Sequence, residues 1–293
     1  MQYIGRIFRP PSEAYSLIIQ ATVGCSHNQC RFCDMYKEKI FHIRPLKDVI
    51  ADLYTAKRAY GSVSRIFLAD GDALIRRASD LVTILETIRD IFPECERVTS
   101  YGSPKSVLLK TPDELSLLRK LGLKMIYIGL ESGSDTVLTF VHKGENATEI
   151  IHAGQMVKTA GITLSVTAIS GLGGKATWEE HALKTAEALS AMKPDYIGLL
   201  TFRLEGQAPM IADVKNGIFE MLNPLEIARE TLLLIENLDS DGSIFRSNHI
   251  SNYINLSGTL NQDKFRLMKE LKDALQGQIN FKNEEMRNWD LNF

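Results

Sequence analysis

The chain has 293 residues, 44% of them apolar, and its 34 basic and 36 acidic residues give a formal net charge of −2. That balance exerts no global pull on nucleic acid or an anionic membrane, and the length suits one large domain or two ordinary ones. No stretch is long and apolar enough to span a bilayer, and Met1-Gln2-Tyr3-Ile4-Gly5-Arg6 lacks the apolar run of a signal peptide, so the expected location is cytoplasmic, with thiols kept reduced.

The first predicted strand is Ser16 to Thr22, preceded by Phe8 to Glu13, which either crosses the sheet or is lead-in coil. Leu46 to Tyr60 has helical spacing, with Val49, Ile50, Leu53 and Ala56 on one face. Ser64 to Leu68 reads as a strand, Leu81 to Ile91 as a helix and Arg97 to Tyr101 as a strand. Thr111-Pro112-Asp113-Glu114 opens a helix, with Thr111 as N-cap, Pro112 in the first turn and Glu114 closing a capping box. Lys124 to Gly129 is the fourth strand, Ala147 to Ala160 a helix stopped by Gly161, and Thr163 to Ile169 the fifth strand. A helix over Trp178 to Met192 leads to a sixth strand, Tyr196 to Leu200. Beyond it lie a helix from Pro224 to Leu238, a polar loop region from Asp239 to Gly258 and a helix from Gln262 to Leu275; the polar tail after Gly277 is expected to pack loosely. Repeated β-α units imply the α/β class, a parallel sheet with helical crossovers.

Between the first strand and the first helix stand Cys25, Cys30 and Cys33, in the spacing C-x4-C-x2-C. The chain's fourth cysteine, Cys95, follows a predicted helix end and reads as a structural thiol. Three thiolates on one loop can hold three corners of an iron–sulfur cube and leave the fourth iron open. Zinc is the competing ligand. It usually takes four donors from two separated pairs; here His27 or His42 would have to complete the set. The segment His42-Ile43-Arg44-Pro45 itself is read as structural, with Pro45 starting the next helix.

The loop resembles that of the radical S-adenosylmethionine (SAM) enzymes, which bind a [4Fe–4S] cluster through C-x3-C-x2-C after the first strand of a partial barrel. Phe32 fills the aromatic place before the third cysteine, while the first spacer is one residue longer here. Ala69-Asp70-Gly71-Asp72 after the second strand is an analogue of the family's Gly-Gly-Glu motif, which implies Asp70, Gly71 or Asp72 at the SAM amino group. Gly129-Leu130-Glu131-Ser132-Gly133 looks like the segment of the subgroup that includes oxygen-independent coproporphyrinogen oxidases and tRNA methylthiotransferases. It implies Glu131 at the ribose hydroxyls and Ser132 and Ser134 at the SAM carboxylate. The stretch Ser165 to Gly174 is similar to the adenine-contacting strand, with Ser165, Ile169 and Gly171 as candidate contacts and Thr201 supplying backbone from the next strand. With about six β-α units against the eight of a full barrel, the resemblance implies a partial (β/α)6 TIM-type barrel with a C-terminal helical and loop extension. The division it implies is a core over 1–205 and an extension over 206–293 packing on the barrel.

The implied chemistry is one-electron cleavage of SAM to a 5′-deoxyadenosyl radical, which abstracts hydrogen from substrate. The electron would come from a reductant such as flavodoxin or ferredoxin. Arg203, His249 and Tyr253 are the candidates for substrate contact or proton transfer. A small organic substrate is favoured over nucleic acid, because no further cysteine cluster or basic appendage is present. The alternatives are an RNA-modifying member of the same family and a non-catalytic iron–sulfur or zinc protein.

Overall fold

The computed structural model describes residues 1–287. Its strands are β1 (Leu17–Gln20), β2 (Thr22–Val23), β3 (His42–Ile43), β4 (Arg65–Ala69), β5 (Arg97–Tyr101), β6 (Leu123–Glu131), β7 (Thr163–Ser170), β8 (Tyr196–Thr201), β9 (Ile244–Ser247) and β10 (Leu256–Thr259). The helices are α1 (Leu46–Tyr60), α2 (Ala78–Ile91), α3 (Pro104–Leu108), α4 (Pro112–Lys120), α5 (Asp135–Phe140), α6 (Ala147–Thr159), α7 (Gly174–Met192), α8 (Met210–Lys215), α9 (Pro224–Asn237), α10 (Lys264–Leu275) and α11 (Glu284–Arg287).

One sheet has the order β1-β4-β5-β6-β7-β8-β9-β10, and β2 and β3 form a separate ribbon. The pairs β1–β4, β4–β5, β5–β6, β7–β8 and β8–β9 are parallel, and β9–β10 is antiparallel. Parallel neighbours need crossovers, and the amphipathic helices supply them. Local signals act as expected. The capping box of Thr111 and Glu114 closes the start of α4, and Asn223 with Glu226 does the same for α9. Backbone at Thr177 is non-helical within α7, so the regular helix begins at Trp178, where the pattern places it.

Two expectations are corrected, and three short helices go unread in the sequence. The polar region from Asp239 to Gly258 is not all loop, since it contains β9 and most of β10. The short helices α3, α5 and α8 lie where no periodicity could show, because each has only five or six residues. The tail after Gly277 is mostly exposed, as expected, but does not pack loosely at Phe281 and Arg287: Arg287 is buried, its guanidinium lies 3.7 Å from the Tyr253 ring centroid, and Phe281 packs on the cluster of Leu222, Ile227 and Tyr253. Residues 288–293 of that tail lie outside the described part.

The chain divides into two compact units. The first comprises 1–28, 35–128 and 153–164. Its core includes Phe67, Ala69, Met125 and Tyr127, with Ile7, Ile18 and Tyr101 against them. The lead-in is therefore part of this core and not free coil. Glu13 is fully buried there, accepting hydrogen bonds from Tyr127 Oη (2.5 Å), Arg97 Nη2 (2.9 Å) and Ser16 Oγ. The second unit comprises 29–34, 129–152 and the chain from Ser165 on, running through residue 205 without a break. Its apolar clusters are Val137, Val141, Leu172, Phe202, Met210 and Phe219 in one place and Leu222, Ile227 and Tyr253 in another.

Candidate functional site

The cysteine loop contributes to both units: Cys25 belongs to the first, Cys30 and Cys33 to the second. None of the chain's four cysteines forms a disulfide, and each is half-buried. Burial raises the Cys95 thiol, as suits a structural residue.

In the first unit two buried carboxylates hold the approach to Cys25. Asp70 follows β4 and accepts from Gly24 N (3.2 Å), Gln20 Nε2 (3.1 Å) and Lys39 Nζ (2.5 Å). Asp72 accepts from Ser26 Oγ (2.5 Å), Ser103 Oγ (2.8 Å) and Ser103 N (3.1 Å). Both side chains thus already have protein donors. Gly71 N donates to Gly24 O (3.1 Å), and a Cβ on Gly71 would lie 2.7 Å from a Tyr36 ring carbon and 3.1 Å from Cys25 Cβ. Only glycine fits that approach. Two buried polar atoms here have no hydrogen-bond partner, Asp70 Oδ1 and Tyr36 Oη, and burial, then the nearby Asp70 charge, raises the Tyr36 phenol. The long first spacer turns back at Asn28, whose φ of 47° is in the left-handed region that Asn tolerates. Its amide donates to Tyr36 O (2.9 Å), closing the loop.

In the second unit the other two cysteines are fixed by what lies between and after them. Arg31 makes a forked pair with Asp213 of α8 (Nη2 to Oδ1 2.7 Å, to Oδ2 2.6 Å) and lies 5.2 Å from the Phe140 ring centroid. Phe32 packs on the Val137–Phe219 cluster, and Asp34 accepts from Gln207 N (2.7 Å). At the end of β6, Glu131 has φ 61°, a strained conformation for this residue type. Its carboxylate accepts from Lys143 Nζ (3.1 Å) and folds back over Gly129, where a Cβ would lie 2.0 Å from Glu131 Oε1. Burial lowers the Lys143 ammonium, but Glu131, Cys30 and Glu145 outweigh it and the net direction is up. Ser132 Oγ bonds His181 Nδ1 (2.8 Å) and accepts from Ser134 N (3.0 Å). Ser134 caps α5 through Val137 N (3.2 Å) and donates to Glu180 Oε1 (2.6 Å). Both hydroxyls therefore build the turn that carries Glu131.

On β7, Ser165 near its start and Ile169 near its end share the less buried face, and Gly171 just beyond has φ 83°. Ser170 Oγ (2.6 Å) and Gly171 N (2.7 Å) donate to Glu230 Oε1. Burial raises Glu230 to about 7 against those two bonds, and burial lowers His181 to about 4. Thr201 N donates to Ser251 Oγ (3.2 Å), and Thr201 Oγ1 to Asn252 Oδ1 (2.9 Å). Arg203 donates to Arg287 O (2.6 Å), His249 Nδ1 meets Ser251 Oγ (2.9 Å), and Tyr253 Oη donates to Glu284 Oε1 (2.8 Å). Sequence reasoning missed Lys39, Lys143 and Asp213, since no motif links a lysine or aspartate to a partner so far along the chain.

The sequence model of the Radical SAM superfamily matches residues 19–186. The chain belongs to the radical SAM superfamily. No curated protein matches it significantly. Among solved structures, coproporphyrinogen III oxidase (HemN) from Escherichia coli is similar at TM-score 0.57 and 17% identity, over 75% of this chain and 52% of that one. The radical SAM methyltransferase TsrM from Kitasatospora setae, solved with cobalamin and a [4Fe–4S] cluster, gives 0.57 and 18% over 73% and 43%. Methylornithine synthase (PylB) gives 0.51 and 14% over 95% and 85%. The chain thus spans about half the length of the first two. These likenesses show the fold, a partial (β/α)6 barrel of the TIM type. Enzymes of this superfamily use a [4Fe–4S] cluster and SAM, and need a reductant and a substrate.

The residues fit such a cluster by donor chemistry, offering three half-buried thiols with Gly71 giving Cys25 close approach. Among the described residues no three His, Cys, Asp or Glu side chains group to hold a single metal ion, and no helix is long and apolar enough to cross a membrane.

Proposed function

We propose that Cys25, Cys30 and Cys33 ligate the [4Fe–4S] cluster and that SAM binds across the segments following β4, β6, β7 and β8. When bound, the pair supplies a 5′-deoxyadenosyl radical by one-electron cleavage of a sulfur–carbon bond. The observation that carries this reading is the pinning of the loop by groups other than thiols. Asp70 and Asp72 take its Cys25 end, Arg31, Phe32 and Asp34 its Cys30–Cys33 end, so the course of the loop is set by groups other than its three sulfurs.

Each expected SAM contact receives a role that its surroundings support. Gly71 gives backbone access, with Asp70 and Asp72 as positioning residues beneath it. Glu131, held by Lys143, accepts from ribose hydroxyls; Ser132 and Ser134 shape its turn and are the candidate partners of the SAM carboxylate. Ser165, Ile169 and Gly171 line the adenine side, Thr201 offers backbone beside them, and Phe32 packs under the loop. Residues 1–205 form the functional core and 206–293 its extension; Arg203 of the core, with His249 and Tyr253 of the extension, contacts substrate or transfers a proton. The substrate is a small organic molecule losing a hydrogen atom, and the electron donor a flavodoxin or ferredoxin.

The test is anaerobic reconstitution with iron and sulfide, followed by SAM and dithionite. Wild type is expected to release 5′-deoxyadenosine and Cys30→Ala none. Equal release from both, or a protein that keeps zinc and takes up no sulfide, refutes the assignment.

A further inference from the structure

Parallel strands are normally covered on both faces and read as continuous apolar runs. β7 departs from that: Leu164, Val166, Ala168 and Ser170 are buried, while Thr163, Ser165, Thr167 and Ile169 are only half-buried. β8 repeats the alternation, with Ile197, Leu199 and Thr201 buried and Tyr196, Gly198 and Leu200 less so. The register pairs Thr167 with Gly198 and Ile169 with Leu200, and Gly198 in turn with Arg246 of β9, so the less buried residues of all three strands share one face. This face is polar in its middle and only partly covered.

Arg246 is exposed on it. Among the described residues it has neither a hydrogen-bond nor an ion-pair partner, and the same face of β7–β9 carries no carboxylate. Between Arg246 and Thr167 stands Gly198. A Cβ there would find only Thr167 Oγ1 at 3.8 Å and a Val166 carbonyl oxygen at 3.9 Å, so the position between Thr167 and Arg246 is uncrowded. Thr167 and Arg246 sit two strand spacings apart, about 9–10 Å between backbones, a distance that an arginine side chain and one small oxyanion fill. Two residues further along β7, about 7 Å by strand rise, Ile169 packs on the cluster that also receives Phe32 of the cysteine loop.

We propose that Thr167, Gly198 and Arg246 form a subsite for an oxyanion of the substrate, a carboxylate or a phosphate. The guanidinium takes the anion through its fork, Thr167 Oγ1 donates from the other side, and Gly198 leaves the room. The substrate role rests on the SAM-cleaving reading above, because that reading puts the reacting atom near the cysteine loop. With no carboxylate on its face among the described residues, Arg246 keeps its fork for an anion, and an arginine facing a substrate anion discriminates against neutral molecules.

The test is fluorine NMR on the full chain with 4-fluorobenzoate and its neutral isostere 4-fluorobenzamide, with acetate and inorganic phosphate as competitors. Wild type is expected to bind the benzoate at least about tenfold more tightly than the benzamide, and Arg246→Gln to lose that preference. Gly198→Val, with the arginine intact and the melting temperature as a fold control, is expected to lose it as well. Stronger displacement by phosphate assigns a phosphorylated substrate, and stronger displacement by acetate a carboxylate. Equal binding of both probes to wild type, or an unchanged benzoate affinity in Arg246→Gln, overturns the subsite. A wild type that releases 5′-deoxyadenosine yet shows no anion preference refutes the subsite alone. Anion preference without 5′-deoxyadenosine release refutes the SAM reading and with it the substrate role.

Discussion

Replacing Lys39 by methionine tests whether the Cys25 approach is held electrostatically. Lys39 and Asp70 side chains are 3% and 0% exposed and 2.5 Å apart. Without the ammonium, Asp70 keeps two neutral donors, Gln20 Nε2 and Gly24 N, and its Oδ1 has no partner. Removing one partner of a buried pair strands a charge and costs about 3–5 kcal/mol. The lysine also donates to Arg6 O and lies 5.4 Å from the Tyr36 ring centroid, so the upper half of that range is expected. Adding Asp70→Asn to the lysine variant removes the stranded charge while keeping an oxygen for Gly24 N, and should recover about half of the loss. Urea unfolding of wild type, both single variants and the double variant gives the coupling, and iron bound per chain after reconstitution reports the loop. A Lys39→Met loss below about 1 kcal/mol, the range of exposed pairs, or a double variant no more stable than Lys39→Met, would refute the reasoning.

Two further outcomes follow from the second unit. Burial holds Glu230 protonated up to about pH 7 and His181 neutral down to about pH 4. The native state therefore carries an extra proton on Glu230 between its ordinary 4.5 and about 7, a contribution that loses stability as pH rises, and lacks one on His181 between about 4 and its ordinary 6.5, a contribution that gains it. The two slopes oppose each other where they overlap. Glu230→Gln leaves the histidine slope alone, so its unfolding free energy should climb by about 2 kcal/mol from pH 4.5 to 6.5 while wild type changes little, and equal pH profiles would contradict the burial argument. Gly129→Ala puts a methyl 2.0 Å from Glu131 Oε1 and 3.0 Å from Lys143 Nζ; both are ends of flexible side chains, so equilibrium dialysis should show SAM affinity down about tenfold with the melting temperature within a few degrees of wild type.

Much of the sheet was legible because apolar periodicity and caps are local properties. The range of α1 and the capping box of α4 are as the sequence reads them. β9 and β10 were not legible, because Ile-Phe-Arg-Ser and Leu-Ser-Gly-Thr are four residues each and carry no more apolar character than a loop. Their strand state comes from pairing with β8 and with each other, a nonlocal cause. At the candidate site the three cysteines and Glu131 stand out by type and spacing. The employment of Asp70 and Asp72 did not, since a carboxylate in a turn looks the same whether it faces a ligand or, as here, backbone and side-chain donors that folding brings from distant segments.

Those internal bonds bear on how the loop meets its cofactor. In a domain whose metal is its main staple, ligand residues are ordered only when the metal arrives, and binding energy is spent on folding. Here each end of the cysteine loop is tied inside its own unit by bonds that involve no thiol: Gly24 N and Ser26 Oγ to the two buried aspartates, Arg31 to Asp213, Phe32 into an apolar cluster. The conformational entropy of those residues is already lost in the protein fold, so cluster binding has little of it left to offset. The sulfurs can then be held by a polypeptide that is ordered before iron enters. A Gly71 side chain is intolerable for the same reason: the position is fixed against the Tyr36 ring and Cys25 by the fold itself, with no slack for a ligand to take up.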